Sequence, residues 1–253
     1  MSQLVLKLTD VNKSFGGVVV AKNVSCEVQS GSIFGLIGPN GAGKTTLLNL
    51  ISGIYDVDSG KIEFCGQDIT KSPAHYRARL GIGRTFQTPR FLTRANIEEN
   101  LMLATDLGDK NSFLGSLTGR AKELDIGELQ TLTRIAGFSF NLEDDISSLT
   151  FGQQKLLEII RAILTKPKLM LVDEPAAGLN NAEMQNAIAL LEWAIKQRDI
   201  GVILIEHSMD MIMSVCSRIM VLNFGSVIAN GDPEEVAAND EVIAAYLGRD
   251  ADA

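Results

Sequence analysis

Gly38-Pro39-Asn40-Gly41-Ala42-Gly43-Lys44-Thr45-Thr46 is the stretch on which the reading of this chain turns. It fits the pattern G-x-x-x-x-G-K-[ST], with Gly38, Gly43, Lys44 and Thr45 in the fixed positions. Before it, Ile33-Phe34-Gly35-Leu36-Ile37 is apolar and of strand length; after it, Leu47-Leu48-Asn49-Leu50-Ile51 is helix-like. The glycines therefore fall where a buried strand hands over to a helix N-terminus. Unpaired backbone N–H groups and the helix dipole both favour an anion there. Glycine also lets the main chain close around phosphate oxygens without a Cβ in the way. The pattern brings Lys44 within reach of β- and γ-phosphates and sets the Thr45 hydroxyl on Mg²⁺. The whole run, with Pro39, Asn40, Gly41, Ala42 and Thr46, is the candidate phosphate cradle.

The totals restrict the rest. The 253 residues suit one compact domain or a core with a subdomain, and 45% hydrophobic with 21% charged residues is an ordinary globular balance. A formal net charge of −8 argues against free nucleic acid as partner and against electrostatic docking to anionic lipid. Cys26, Cys65 and Cys216 are widely spaced and odd in number, so the sequence predicts neither a metal cluster nor a disulfide framework, but small buried thiols in a reducing cytosol. No run approaches a membrane span, and the N-terminal MSQLVLKLTD lacks the basic-then-apolar layout of a signal peptide. A soluble cytoplasmic protein is expected, with any membrane role exercised through other subunits.

Along the chain, residues 4–36 alternate as strands punctuated by Gly16-Gly17 and Ser30-Gly31. A turn at Asp58-Ser59-Gly60 leads to a short strand from Lys61 to Cys65. From about 88 to 165 helical patterns replace strand patterns: Asn96 to Ala104, Ile126 to Gly137, and Gly152 to Thr165, with a glycine- and serine-rich surface loop expected over 108–119. Strand patterns return at Leu169 to Val172, ending in Asp173-Glu174, and at Val202 to Ile205, ending in Glu206-His207. Between them the spacing of Met184, Ile188, Leu191 and Ile195 predicts a helix over 181–197. The methionines from Met209 to Met213 read as core packing, and Arg218 to Asn223 with Val227 to Ala229 close the sheet. Strands alternating with helices mean a mostly parallel sheet with both faces covered, whose ligands gather at the carboxyl ends of its strands.

The phosphate loop, Gln87, Leu149-Thr150-Phe151-Gly152-Gln153-Gln154, Asp173-Glu174 and His207 occur in one order that resembles the ATP-binding cassette (ABC) ATPases over almost the whole chain. The resemblance implies an α/β fold: a P-loop NTPase, RecA-like core (1–87 and 166–253) with a mostly parallel sheet, an antiparallel β subdomain and an inserted α-helical subdomain (88–165). It implies ATP and Mg²⁺ as cofactors. Asp173 and Gln87 join Thr45 as metal contacts, oxygen donors suited to a hard cation. Glu174 resembles the family's general base for the attacking water, His207 its switch histidine on the γ-phosphate, and Phe15 the aromatic stacked on adenine. His75, the other histidine, reads as exposed. Leu149 to Gln153 stands where the family usually has Leu-Ser-Gly-Gly-Gln. There Thr150, Gly152 and Gln153 would cap the nucleotide held by a second protomer. Phe151 replaces a glycine and must point away from phosphate, and Asn180 replaces a more usual aspartate.

Those departures, with Gly83-Arg84-Thr85-Phe86-Gln87, Asp173 to Asn180, Ala229-Asn230-Gly231 and Ala245-Tyr246-Leu247-Gly248, resemble one branch, the ATPase subunits of branched-chain amino acid importers. The resemblance implies transmembrane permease partners, a second ATPase subunit, an indirect link to an external solute-binding protein, and a peripheral place on the cytoplasmic face of the cell membrane. It also implies no separate regulatory domain. The coupling surface is expected at Gln87 to Glu99, with Arg90 to Arg94 facing a permease helix. Urea import and lipopolysaccharide export are alternatives within transport. A soluble ABC ATPase of DNA repair or translation is disfavoured, because neither a long coiled-coil insert nor a second cassette is present and the charge is acidic. An inactive structural cassette would have lost Lys44 or Glu174.

Overall fold

The computed structural model describes residues 3–106 and 124–247, so the loop expected at 108–119 and Gly248 lie outside the described residues. In chain order, β1 (Leu4–Phe15), β2 (Val18–Gln29) and β3 (Ile33–Ile37) lead to helix α1 (Lys44–Ser52). Then come β4 (Ser59–Phe64), β5 (Gln67–Asp68), α2 (Ala74–Leu80) and β6 (Ile82–Arg84). Helices α3 (Ile97–Asp106), α4 (Ile126–Ala136) and α5 (Phe151–Leu164) follow. The chain then runs through β7 (Leu169–Asp173), α6 (Asn181–Arg198), β8 (Gly201–Ile205), α7 (Met209–Val215), β9 (Arg218–Asn223), β10 (Ser226–Gly231), α8 (Pro233–Ala237) and α9 (Asp240–Leu247).

The strands form a six-stranded sheet in the order β10-β9-β3-β8-β7-β6 and a four-stranded sheet in the order β2-β1-β4-β5. Pairings from β9 through β6 are parallel, and β10 closes one edge antiparallel to β9. The smaller sheet is antiparallel throughout. The central strands β3, β7 and β8 are buried at every position because each face meets a different core. Ile33, Ile37, Met170, Val172, Val202 and Leu204 enter a cluster with the residues of α5, α6 and α7. Their neighbours Phe34, Leu36, Leu169, Leu171, Ile203 and Ile205 enter a second cluster with α1 and the small sheet. Alternate side chains thus serve opposite faces, as the two-residue period of a strand requires.

Local chemistry sets the helix starts. Thr150 and Gln153 form a reciprocal capping box at α5, and Asn180 and Glu183 form another at α6. Helix α1 has no such device: its N-cap is Gly43, without a side-chain cap. It is held from behind instead, where Leu47, Leu48, Leu50 and Ile51 are buried, each contributing about 1.5–3 kcal/mol.

Two expectations change. The stretch Pro73 to Arg79 reads as surface, yet it carries α2, anchored by Arg77, which is 1% exposed; His75 on the same helix is exposed as expected. Cys26 and Cys216 are buried and burial pushes both thiols up to about 12. Cys65 is only half-buried, in the tight β4–β5 turn with a left-handed φ of 48°.

Candidate active site

The phosphate-loop residues run from the end of β3 to the first turn of α1, at the carboxyl edge of the large sheet. Gly38 (φ 147°) and Gly43 (φ 106°) are glycines for a reason that the sequence hides. A Cβ at Gly38 would collide with the Leu222 carbonyl oxygen of β9, and one at Gly43 with the Val20 carbonyl oxygen of β2. Main chain presses against main chain there. Gly41, also at positive φ, faces open space. Lys44 is 6% exposed, and its Nζ donates to the Gly38 carbonyl at 2.7 Å and the Pro39 carbonyl at 3.2 Å. The lysine is therefore aimed across the mouth of the loop. Uncapped N–H groups at α1, a lysine aimed over them and a Cβ-free wall together suit a polyphosphate.

Asp173 ends β7 beside this loop. Burial pushes its carboxyl up, while the Arg84 guanidinium pulls it down; Glu174 pushes it up, and a hydrogen bond from the Thr45 hydroxyl pulls it down. Arg84 lies 3.8 Å from the Asp173 carboxylate and is tied to α1 by bonds to Asn49 Oδ1 at 2.7 Å and Ser52 Oγ at 2.8 Å. The sequence motif thus becomes a real contact: Thr45 and Asp173 meet across the first turn of α1. A hydroxyl and a carboxylate, with phosphate oxygens nearby, fit Mg²⁺. Among the described residues no group of three His, Cys, Asp or Glu side chains could hold a metal.

Glu174 gathers the remaining candidates. Gln87 Nε2 donates to Glu174 Oε2 at 2.9 Å, and His207 Nε2 lies 2.9 Å from Glu174 Oε1. Two side chains, one from the segment after β6 and one from the segment after β8, thus converge on the carboxylate that follows β7. The Glu174 main chain has φ 48°, left-handed for a residue with a Cβ. Its N–H donates to the Ile205 carbonyl at 2.9 Å, and its carbonyl accepts from Ala177 N at 3.3 Å across a turn containing Pro175.

Several buried charged residues escape sequence reading. Glu206 is 5% exposed and accepts from the Ala176 N–H at 2.6 Å and the His207 N–H at 3.1 Å. Glu158 accepts from the Phe86 and Arg90 N–H groups at 3.2 and 3.1 Å, so α5 holds the Gln87 segment. Burial pushes both carboxyls up, against the pull of those hydrogen bonds. Lys155 on α5 donates to the Glu174 carbonyl at 2.8 Å. Their one visible signal is position: each sits at an apolar-face spacing of α5 or at a strand end.

The other candidates are not joined to this cluster. Phe15 meets Tyr55 edge-on at 5.1 Å between centroids, with Lys13 Nζ also 5.1 Å from its ring. Tyr55 is a companion that the sequence did not flag. The Thr150 hydroxyl accepts from the Gln153 N–H at 3.2 Å and the Thr150 N–H donates to Gln153 Oε1 at 2.9 Å, so both polar groups serve α5 itself. Gly152 abuts the Glu183 carboxylate, and Phe151 lies half-exposed over Gly178. Asn180 spends its side-chain oxygen on the Glu183 N–H at 3.0 Å. An apolar cavity of about 380 Å³ opens between α1, α2, β6, α3 and α5, lined by Ile54, Ala78, Arg84, Phe86, Leu103 and Arg161 among others. Beside it, Leu92, Arg94, Glu99 and Met102 line a shallower hollow. Among the described residues no helix is long and apolar enough to cross a membrane.

Comparison with known proteins agrees with this fold. Residues 21–177 match the ABC transporter family model, and residues 226–252 match a model for branched-chain amino acid ATP-binding cassette transporters. The chain is 36% identical over 98% of its length, and 99% of the relative's, to the high-affinity branched-chain amino acid transport ATP-binding protein BraF of Pseudomonas aeruginosa. It is likewise 36% identical to LivG of Escherichia coli K12, described in the same words, over 98% of this chain and 99% of that one. A nucleotide-free ATP-binding cassette from an ABC transporter superposes with a TM-score of 0.82 at 29% identity, covering 96% of this chain and 99% of that one. The ADP conformation of an ATP-binding cassette of an ABC transporter does so at 0.79 and 30%, covering 97% and 99%. The chain belongs to the ABC transporter family as an ATP-binding subunit, an ATPase of the branched-chain amino acid cassette group.

Proposed function

We propose that this ATPase subunit powers import of branched-chain amino acids, and that Glu174 is the base of its hydrolytic step. The observation that carries the catalytic reading is the convergence of Gln87 and His207 on the two oxygens of Glu174, at 2.9 Å each. Residues 38–46 hold the phosphates, with Lys44 neutralising the β- and γ-oxygens. Thr45, Asp173 and Gln87 would hold Mg²⁺, which when bound would screen the phosphate charge. Glu174 takes the proton of the attacking water, and His207 and Gln87 orient the carboxylate and sense the γ-phosphate. Phe15, with Tyr55 at its edge, stacks on the base.

Thr150, Gly152 and Gln153 complete the site of a second cassette, identical or related. The exposed Phe151 ring, lying on Gly178 of its own chain, leaves the α5 N-terminus open to that partner. The described helices of the 88–165 segment, α3, α4 and α5, move as a unit. The apolar cavity between core and helices, with the Leu92–Glu99 hollow beside it, receives a permease segment, and the subunit works peripherally at the cytoplasmic face. An external binding protein and the permeases, not this chain, select the solute. The branched-chain assignment rests on the relatives and on the family match at residues 226–252.

Glu174→Gln tests the catalytic reading. The variant binds ATP as the wild type does, loses turnover by about two to four orders of magnitude, and accumulates a nucleotide-dependent dimer in light scattering. Wild-type turnover in Glu174→Gln removes Glu174 from the role of base.

A further inference from the structure

We infer that Lys155 is a positioning residue for Glu174, linking the α5 helix that starts at the Thr150–Gln153 segment to the main chain of the base in the same subunit. This rests on the assignment of Glu174 given above. Lys155 is 3% exposed, on the buried face of α5, one turn in from Phe151. Its Nζ donates to the Glu174 carbonyl at 2.8 Å, and the cation also lies 5.6 Å from the Phe151 ring centroid. That carbonyl belongs to the residue held at φ 48°. Glu174 is thus fixed at three points: its N–H by Ile205 of β8, its carbonyl by Lys155 of α5, and its carboxylate by Gln87 and His207.

The buried ammonium also explains the acidic surroundings. Glu206, Glu174, Glu158 and Asp173 all act on it by attraction, while burial opposes its charge. A cation that spends a hydrogen bond on a neutral carbonyl, with carboxylates this near, sits where the carbonyl needs it. A left-handed non-glycine residue persists only where its surroundings over-determine it, and Lys155 is the one contact to this peptide from outside the two strands and their turn among the interactions described. Any shift of α5 along its axis therefore moves the peptide that aims the base. In this way the state of the partner-facing helix end is communicated to hydrolysis within the same chain.

Lys155→Met keeps the stem and removes the donor; Lys155→Arg restores a donor. In the purified subunit, Lys155→Met is expected to lower kcat by about 10- to 100-fold, the range for losing one charge-assisted hydrogen bond at a reacting group. The KM for ATP and the equilibrium affinity for a fluorescent ATP analogue stay within about twofold. Lys155→Arg regains most of kcat. In a Glu174→Gln background, Lys155→Met lowers the residual turnover no further, because the carboxylate it aims is gone. Turnover within twofold of wild type in Lys155→Met, parallel loss of affinity and kcat, or a full extra loss in the Glu174→Gln background overturns the inference. Should Lys155→Met fail to fold, Lys155→Leu, which also removes the donor, carries the same kcat-against-KM test. Active Glu174→Gln would sink the assignment of the base; inactive Glu174→Gln with an unaffected Lys155→Met would sink the positioning role alone.

Discussion

Arg77→Met is a demanding test of how the phosphate loop is supported. Arg77 makes four hydrogen bonds, all to main-chain carbonyls: Leu50 and Ile51 at the C-terminal end of α1, and Thr70 and Ser72 in the segment before α2. The guanidinium thus closes the helix whose first turn is the anion site, at the end where the dipole favours a cation. Burial pulls its pKa down, opposed by Asp56. Methionine keeps the apolar stem and removes every donor. An orphaned buried polar group costs about 1–3 kcal/mol. Leu50 keeps a bond from the Gly53 N–H at 3.2 Å, so it is not fully orphaned. Partial hydration reduces the rest, leaving about 3–5 kcal/mol in total. For a domain of this size about 2–4 °C accompany each kcal/mol, so the melting temperature falls by about 6–20 °C. Thermal unfolding followed by circular dichroism reads the shift, and ATP affinity falls with it because α1 loses its rear anchor. A melting temperature within about 2 °C of wild type would refute the view that these carbonyls depend on Arg77.

Gly152→Asp has two separable effects. It abolishes the ATP-dependent dimer seen in size-exclusion chromatography while a single protomer still binds nucleotide. It also loses about 1 kcal/mol of stability, because the new Cβ displaces Glu183 from its capping box with Asn180; loss of nucleotide binding by the lone protomer would contradict the trans role of the segment. For pH, Glu158 holds its proton to higher pH in the folded chain than its ordinary 4.5, through burial. As pH rises through that value the unfolded chain ionises first, so the Glu158 contribution falls with rising pH until the folded carboxyl also ionises. The melting-temperature difference, Glu158→Gln minus wild type, therefore becomes more positive from about pH 4 upward, and a difference that becomes more negative would reverse the assigned cause.

Much of the site was legible because its residues act through local pattern. Gly38 to Thr46 sits between an apolar strand and a helix, and Asp173-Glu174 and His207 each follow an apolar run, so chain order alone puts them on one sheet edge. What stayed hidden is what acts through space. Arg77, Lys155, Glu158 and Glu206 are charged residues buried against main-chain groups distant in sequence, where periodicity assigns charge to solvent. Helix α2 went unread for the same reason: its buried anchor is an arginine. Tyr55 follows no repeat that would pair it with Phe15. Gly38 and Gly43 were read as making room for a ligand, whereas their first neighbours are the Leu222 and Val20 carbonyls.

That last point changes how nucleotide capture should be pictured. The curve of the loop is imposed by strands β9 and β2 at its back, so its shape belongs to the scaffold and not to the guest. An incoming triphosphate meets a seat already set during folding, and little chain entropy remains to be lost on arrival. Capture can then be quick and weakly selective, leaving fidelity to the later encounter between two cassettes.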